Sequence, residues 1–161
     1  MKILVTGGAG YIGSHTCLEL LNNGDEVIVM DNLSNSKEES LRRVQELTGE
    51  TIKLYKVDML DRVGMNTIFD EQSIQAVIHF AGLKAVGESV SIPLQYFHNN
   101  VCGSLALFEV MKQHDVHDIV FSSSATVYGN DNTPPFREDF PLSAINPYGR
   151  TKLMIEDILR D

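Results

Sequence analysis

Two groups of residues in this sequence have types and spacing that can do chemistry. Tyr148 and Lys152 lie four apart in Pro147-Tyr148-Gly149-Arg150-Thr151-Lys152, followed by Leu153, Ile155, Ile158 and Leu159 at helical intervals. On a helix such a pair shares one face. An ammonium beside a phenol favours the phenolate, so a tyrosine ordinarily near pKa ~10 can act as a base at neutral pH. The second group is Gly7-Gly8-Ala9-Gly10-Tyr11-Ile12-Gly13, which follows an apolar strand and leads into a helix. It fits both Gly8-x-Gly10-x-x-Gly13 and Gly7-x-x-Gly10-x-x-Gly13. A loop of this kind lets bare backbone approach a pyrophosphate, with helix N-terminal N–H groups and dipole to hold it. Asp31 ends the second strand about 20 residues beyond Gly10, where an acid binds a ribose 2′-hydroxyl and disfavours a 2′-phosphate. NAD is therefore expected over NADP, and no basic residue flanks Asp31 before Lys37.

Such a loop needs a parallel sheet behind it. Short β-branched runs at 2–6, 26–31, 52–58, 76–81 and 118–123 alternate with helical patterns. Each run is nearly continuously apolar, as strands covered on both faces are. The expected fold is α/β, a doubly wound parallel sheet of the Rossmann type. Ligands in such sheets sit at the carboxyl ends of strands. Those ends carry Asp58, able to reach an adenine; the small Phe80-Ala81-Gly82 stretch, open to a cofactor; and Ser122-Ser123-Ser124, on the nicotinamide side. Among the helices, 11–23 stops at Asn23-Gly24. Ser36 with Glu39 reads as a capping box, and Asp61 as a cap. Pro93 opens a long helix with Leu94, Phe97, Val101, Leu105 and Phe108 facing inward. Residues 129–146 carry Pro134, Pro135 and Pro141 and show no period.

The 161 residues include 13 Lys+Arg and 22 Asp+Glu, a net charge of −9. That balance disfavours phosphate backbones and anionic lipid surfaces, so neither nucleic acid nor membrane is the expected partner. Two cysteines without CxxC spacing suit a reducing, cytoplasmic setting. No apolar run reaches the roughly 18 residues of a membrane span, and the apolar start is too short for a signal peptide. His114 and His117 fall in a helix-to-strand turn and read as solvated rather than metal-binding. Cys17, among Leu18, Leu20 and Leu21, reads as packed. No metal is expected.

Together, the glycine loop, the fifth-strand serine and the Tyr-x-x-x-Lys pair resemble the extended short-chain dehydrogenase/reductase family. Longer stretches resemble its UDP-sugar 4-epimerase branch. These are Val5-Thr6-Gly7-Gly8-Ala9-Gly10-Tyr11-Ile12-Gly13-Ser14-His15-Thr16, Asp31-Asn32-Leu33-Ser34-Asn35-Ser36, His79 through Ser89 around Lys84, and Phe121 through Gly129. The resemblance implies a role for each. Backbone N–H groups of Tyr11 and Ile12 meet the pyrophosphate. Asp31, Asn32, Leu33, Ser34, Asn35 and Ser36 hold the adenosine ribose, and Asp58 with Met59 the adenine. Phe80, Ala81, Gly82, Leu83, Lys84 and Asn99 line the pyrophosphate and nicotinamide half. Lys152 binds the nicotinamide ribose and tunes Tyr148, and Ser124 bonds the sugar 4-hydroxyl.

The implied activity is NAD-dependent interconversion of UDP-galactose and UDP-glucose through transient oxidation at C4, with a homodimer as the full-length state. Related sugar-nucleotide 4,6-dehydratases resemble one another in a Thr-Asp-Glu set after strand five. Here that stretch is Ser124-Ala125-Thr126. A 4-epimerase of an N-acetylhexosamine or uronic acid UDP-sugar stays open, as does a non-catalytic NAD-binding module, although such modules usually lose the tyrosine or lysine. The resemblance also implies that residues 1–161 are a dinucleotide-binding domain ending in the catalytic helix. On that expectation the substrate domain is absent, the chain is truncated before a sixth strand, and this exact chain turns over weakly or not at all.

Overall fold

The computed structural model describes residues 1–161. Contacts divide the chain into two compact units, Met1–Ala81 with Ala106–Ser122, and Gly82–Leu105 with Ser123–Asp161.

The first unit holds all five strands: β1 (Lys2–Thr6), β2 (Glu26–Met30), β3 (Lys53–Tyr55), β4 (Ala76–His79) and β5 (Asp118–Phe121). All pair in parallel in the order β3-β2-β1-β4-β5. Successive strand residues point to opposite faces, and both faces are covered. One cluster joins Leu4, Ile28, Met30 and Val77 to Met65, Ile68 and Phe69 of α3 (Arg62–Gln72), and to Leu107, Val110 and Met111 of the helix Gly103–Gln113. The opposite cluster joins Ile3, Val5, Val27 and Val29 to Cys17 and Leu21 of α1 (Tyr11–Asn22) and to Leu41 and Val44 of α2 (Glu39–Thr48). This is the doubly wound parallel sheet expected from the sequence. Its strand order reverses at β1, so the glycine loop after β1 lies at a topological switch point. Burial pushes the Cys17 thiol up to about 12, which suits a packed, inert cysteine.

The second unit is built from α4 (Val86–Ser91), α5 (Pro93–Tyr96), a π-helical segment (Phe97–Cys102), a 3₁₀ turn (Ala125–Tyr128) and α7 (Pro147–Arg160). The helix α6 (Gly103–Gln113) follows the π segment. Val127, Ala144 and Leu153 form a small core with Tyr128 and Leu142. Residues 129–146 hold no helix or strand, and the Asn132 amide ties the segment by donating to the Tyr128 and Pro141 carbonyls. No helix is long and apolar enough to cross a membrane.

Three local expectations are corrected. β1 spans its apolar run as expected, whereas β2 to β5 stop short of theirs, because the ladders end once the chain turns toward the following loops; β3 keeps only three residues. The Ser36–Glu39 capping box does not form. The Ser36 hydroxyl donates to Asp31 Oδ1 at 2.8 Å instead, and α2 starts at Glu39 with no side-chain cap. The long helix opened by Pro93 forms and runs on through a π segment to Gln113, and Phe108 packs on the core as expected, but its buried stripe is Tyr96, Asn100, Ser104 and Leu107. Leu94 is 82% exposed and Leu105 38% exposed. The π segment adds a residue to one turn and shifts the helical phase after it. Before it, the Tyr96 phenol is drawn inward by its bonds to Ala85 N–H and to Glu88.

Candidate active site

In the first unit the glycine loop is closed by its own backbone. Gly7 has φ +69°, and a Cβ there would lie 2.8 Å from the Ala81 nitrogen, so the loop passes directly over the end of β4. At Gly13 a Cβ would come within 2.4 Å of the Gly7 carbonyl oxygen. Gly10 caps α1 with no side-chain bond, and the first turn carries no acid. Tyr11 and Ile12 are exposed. The first-turn N–H groups and the positive helix end are therefore without a side-chain cap, an arrangement able to receive an anion.

Asp31, 8% exposed, accepts three hydrogen bonds: from Ala9 N–H (3.0 Å), Leu33 N–H (2.9 Å) and the Ser36 hydroxyl. A carboxylate has about four acceptor sites, so room for a ribose hydroxyl remains. Leu33 adopts φ +57°, which lets its own N–H turn to Asp31 and the Ser34 N–H to Asn32 Oδ1. The Asn32 amide donates to Asp58 Oδ2 at 2.7 Å, and Leu60 N–H to Asp58 Oδ1. Met59 packs its side chain into the core, so only its backbone can face an adenine. The ends of β1 and β4 are joined by a buried hydrogen bond of 2.6 Å between Thr6 Oγ1 and His79 Nδ1. Phe80 N–H donates to the Thr6 carbonyl, and Ala81 N–H to Thr6 Oγ1.

In the second unit Tyr148 and Lys152 lie one turn apart near the start of α7. The helix begins there because Asn146 accepts the Gly149 N–H at 2.8 Å and Pro147 fits the first turn. Both side chains are buried, Tyr148 at 9% and Lys152 at 5% exposure. Burial pushes the Lys152 ammonium down from 10.5 to about 8. Ser124 caps the 3₁₀ turn, accepting from Thr126 N–H and meeting Thr126 Oγ1 at 2.9 Å. Gly149 lets that turn approach, since a Cβ there would lie 2.9 Å from Thr126 Oγ1. Ser123 has another task, donating its hydroxyl to Glu156.

Gly82 and Leu83 are half-buried and Lys84 is exposed, and the Asn99 amide donates to Asn100 Oδ1. Asn100 itself was not singled out from the sequence. Its buried amide accepts from Leu83 N–H (2.8 Å) and donates to the Leu83 carbonyl (2.9 Å) and to Thr151 Oγ1 (3.1 Å). Thr151 in turn donates to the Tyr148 carbonyl. The loop carrying Lys84 and the helix carrying Tyr148 thus share one amide. The readable signal was a pair of asparagines inside a helix, where asparagine competes with the backbone and needs a reason. His114 bonds Asn66 and His117 bonds Asp115, each in its own pair.

A glycine loop after the first strand of a doubly wound parallel sheet, and a helix carrying a buried Tyr-x-x-x-Lys pair, define a Rossmann-type chain. The chain belongs to the GDP-mannose 4,6-dehydratase family, whose model matches residues 4–161. It is similar to UDP-glucose 4-epimerase of Bacillus subtilis (strain 168), 64% identical over 161 residues, covering 100% of this chain and 48% of that protein. It is 55% identical to UDP-glucose 4-epimerase of Dictyostelium discoideum over 160 residues, covering 99% of the chain and 46% of that protein. Among solved structures, the Bifidobacterium longum UDP-glucose 4-epimerase with NAD⁺ and UDP aligns with a TM-score of 0.98 at 51% identity, over 100% of this chain and 48% of that one. The Stenotrophomonas maltophila UDP-glucose 4-epimerase, with NAD and formylated UDP-arabinopyranose, aligns at 0.97 and 49% identity, with the same coverage. The chain spans about half the length of the curated relatives it matches.

Proposed function

We propose that the protein interconverts UDP-galactose and UDP-glucose with NAD as a resident cofactor. The observation that carries this reading is the 64% identity to a UDP-glucose 4-epimerase across the whole chain. The glycine cradle, the uncapped α1 terminus and the bonded Asp31 fit a dinucleotide with an unphosphorylated 2′-hydroxyl. Bound there, the cofactor supplies a reversible hydride acceptor, which lets C4 of the sugar become a ketone and be reduced again from the other face.

The chain's own residues handle the proton and the position. Tyr148 takes the proton of the 4-hydroxyl at its phenol oxygen and later returns it. Lys152, still largely charged at neutral pH with a pKa of about 8, stabilises the phenolate in that interval. Ser124, whose oxygen is already oriented by Thr126 N–H, holds the 4-hydroxyl. The reading also expects a homodimer, and exposed Val90 and Leu94 offer apolar surface for one. Dehydration, the reaction in the family model's name, is less favoured because Ser124-Ala125-Thr126-Val127-Tyr128 carries no carboxylate. Incubating the intact protein with UDP-galactose and analysing the sugar nucleotides tests the choice. UDP-glucose with no lasting build-up of NADH is expected, and a 4-keto-6-deoxy sugar would instead identify a dehydratase.

A further inference from the structure

The backbone of Ala9, at the centre of the glycine loop, is held at both its N–H and its carbonyl. Its N–H donates to Asp31 Oδ2 at 3.0 Å, and its carbonyl accepts the Ser40 hydroxyl at 2.7 Å. Ser40 sits in the first turn of α2 and is half-buried. A serine there would ordinarily satisfy itself by bonding back within its own helix, and the Lys37 carbonyl stands 2.9 Å away for that purpose. The Ala9 carbonyl is nearer and belongs to a different element. The Ala9 methyl, 3% exposed, packs in the same cluster as Leu41 and Leu33, so the segment from Asp31 to Leu41 grips the loop by its amide, its carbonyl and its side chain. Ala9 lies immediately before Gly10-Tyr11-Ile12, whose backbone forms the uncapped start of α1.

We propose that Ser40 is a positioning residue for the dinucleotide: by fixing the Ala9 carbonyl opposite Asp31, it sets the glycine loop in its phosphate-receiving shape before nucleotide arrives. This rests on the reading of the loop as a dinucleotide site. A preformed loop avoids the ordering cost at binding, so loss of one tie weakens affinity. One neutral hydrogen bond is worth roughly five- to tenfold in a binding constant.

The test is titration of nucleotide-stripped intact protein with NADH and, separately, with ADP-ribose, for wild type, Ser40→Ala and Ser40→Thr. Thermal unfolding of each stripped protein accompanies the titrations. The expected result is a roughly five- to tenfold rise in both dissociation constants for Ser40→Ala, with Ser40→Thr restoring affinity to within about twofold. A Ser40→Ala protein that is less heat-stable but binds both ligands like wild type shows a merely structural hydroxyl and overturns the proposal. So does a loss that threonine does not rescue. If wild type itself binds neither ligand, the dinucleotide reading of the loop fails, which is a separate result from an unaltered Ser40→Ala affinity.

Discussion

Lys152 stands in an environment that opposes its charge, 5% exposed and lowered to about 8 by burial. That has a consequence for stability as well as for catalysis. In the unfolded chain this lysine keeps its proton up to about 10.5, so between about pH 8 and 10.5 the unfolded state binds more protons than the folded one. Below pH 8 the burial penalty is fully present; it fades as pH rises through that window. Each pKa unit corresponds to about 1.4 kcal/mol. The stability of wild type relative to Lys152→Met, both stripped of nucleotide, should therefore rise between pH 7.5 and pH 10. Urea unfolding at the two pH values measures this, and parallel behaviour of the two proteins would count against a desolvated ammonium. Ser124→Ala should lower turnover by roughly 10- to 100-fold while leaving bound NAD intact, read by steady-state assay and by nucleotide release on denaturation. At this scale the sequence showed which residue types matter but not what else they do. Asp31 was legible as an acid at the end of β2, yet its bond to Ala9 joins positions 22 apart and belongs to the tertiary fold. Asn100 was illegible as a partner of Leu83 and Thr151 for the same reason.

Among the elements, α7 carries Tyr148 and Lys152 and depends on two short-range devices. The Asn146 side chain caps it, and Gly149 leaves space for the Ser124–Tyr128 turn to pack against it. Gly149→Ala would press a methyl to within about 3 Å of the Thr126 carbonyl as well as its hydroxyl, so backbone must move. The expected cost is about 1–3 kcal/mol of stability, with a loss of turnover larger than the small volume change suggests, because Ser124 moves with the turn. Thermal unfolding and turnover, measured on the same preparation, check it; unchanged values for both would show that the turn has slack. The five strands and the helices α1, α3 and α7 were legible because periodicity, the Asn23-Gly24 stop, the Asp61 cap and Pro147 are local signals. The phase of the helix after Pro93 was not. The bonds of the Tyr96 phenol set the buried stripe before the six-residue π segment, and the π segment shifts the phase after it, which no 3.6-residue pattern anticipates. The Ser36 capping box failed because Asp31, five residues back, competed for the same hydroxyl.

For the molecule as a whole, the strand order and the covering of both sheet faces make the switch point after β1 the place for a dinucleotide, and Asp31 there argues for NAD. Denaturing the purified intact protein should release NAD and not NADP; equal amounts of both would undercut the role given to Asp31. The parallel sheet was legible from alternating strand and helix patterns, whereas the division into two compact units was not, since it depends on contacts between distant segments such as Leu83 with Asn100 and Asn100 with Thr151. The central claim is that Tyr148 moves the proton in a redox-neutral inversion at C4. The most direct measurement is turnover of UDP-galactose by the intact Tyr148→Phe protein, with bound nucleotide quantified alongside. The account predicts a loss of roughly 10²- to 10⁴-fold with the nucleotide still bound; near-normal conversion by that variant would contradict it.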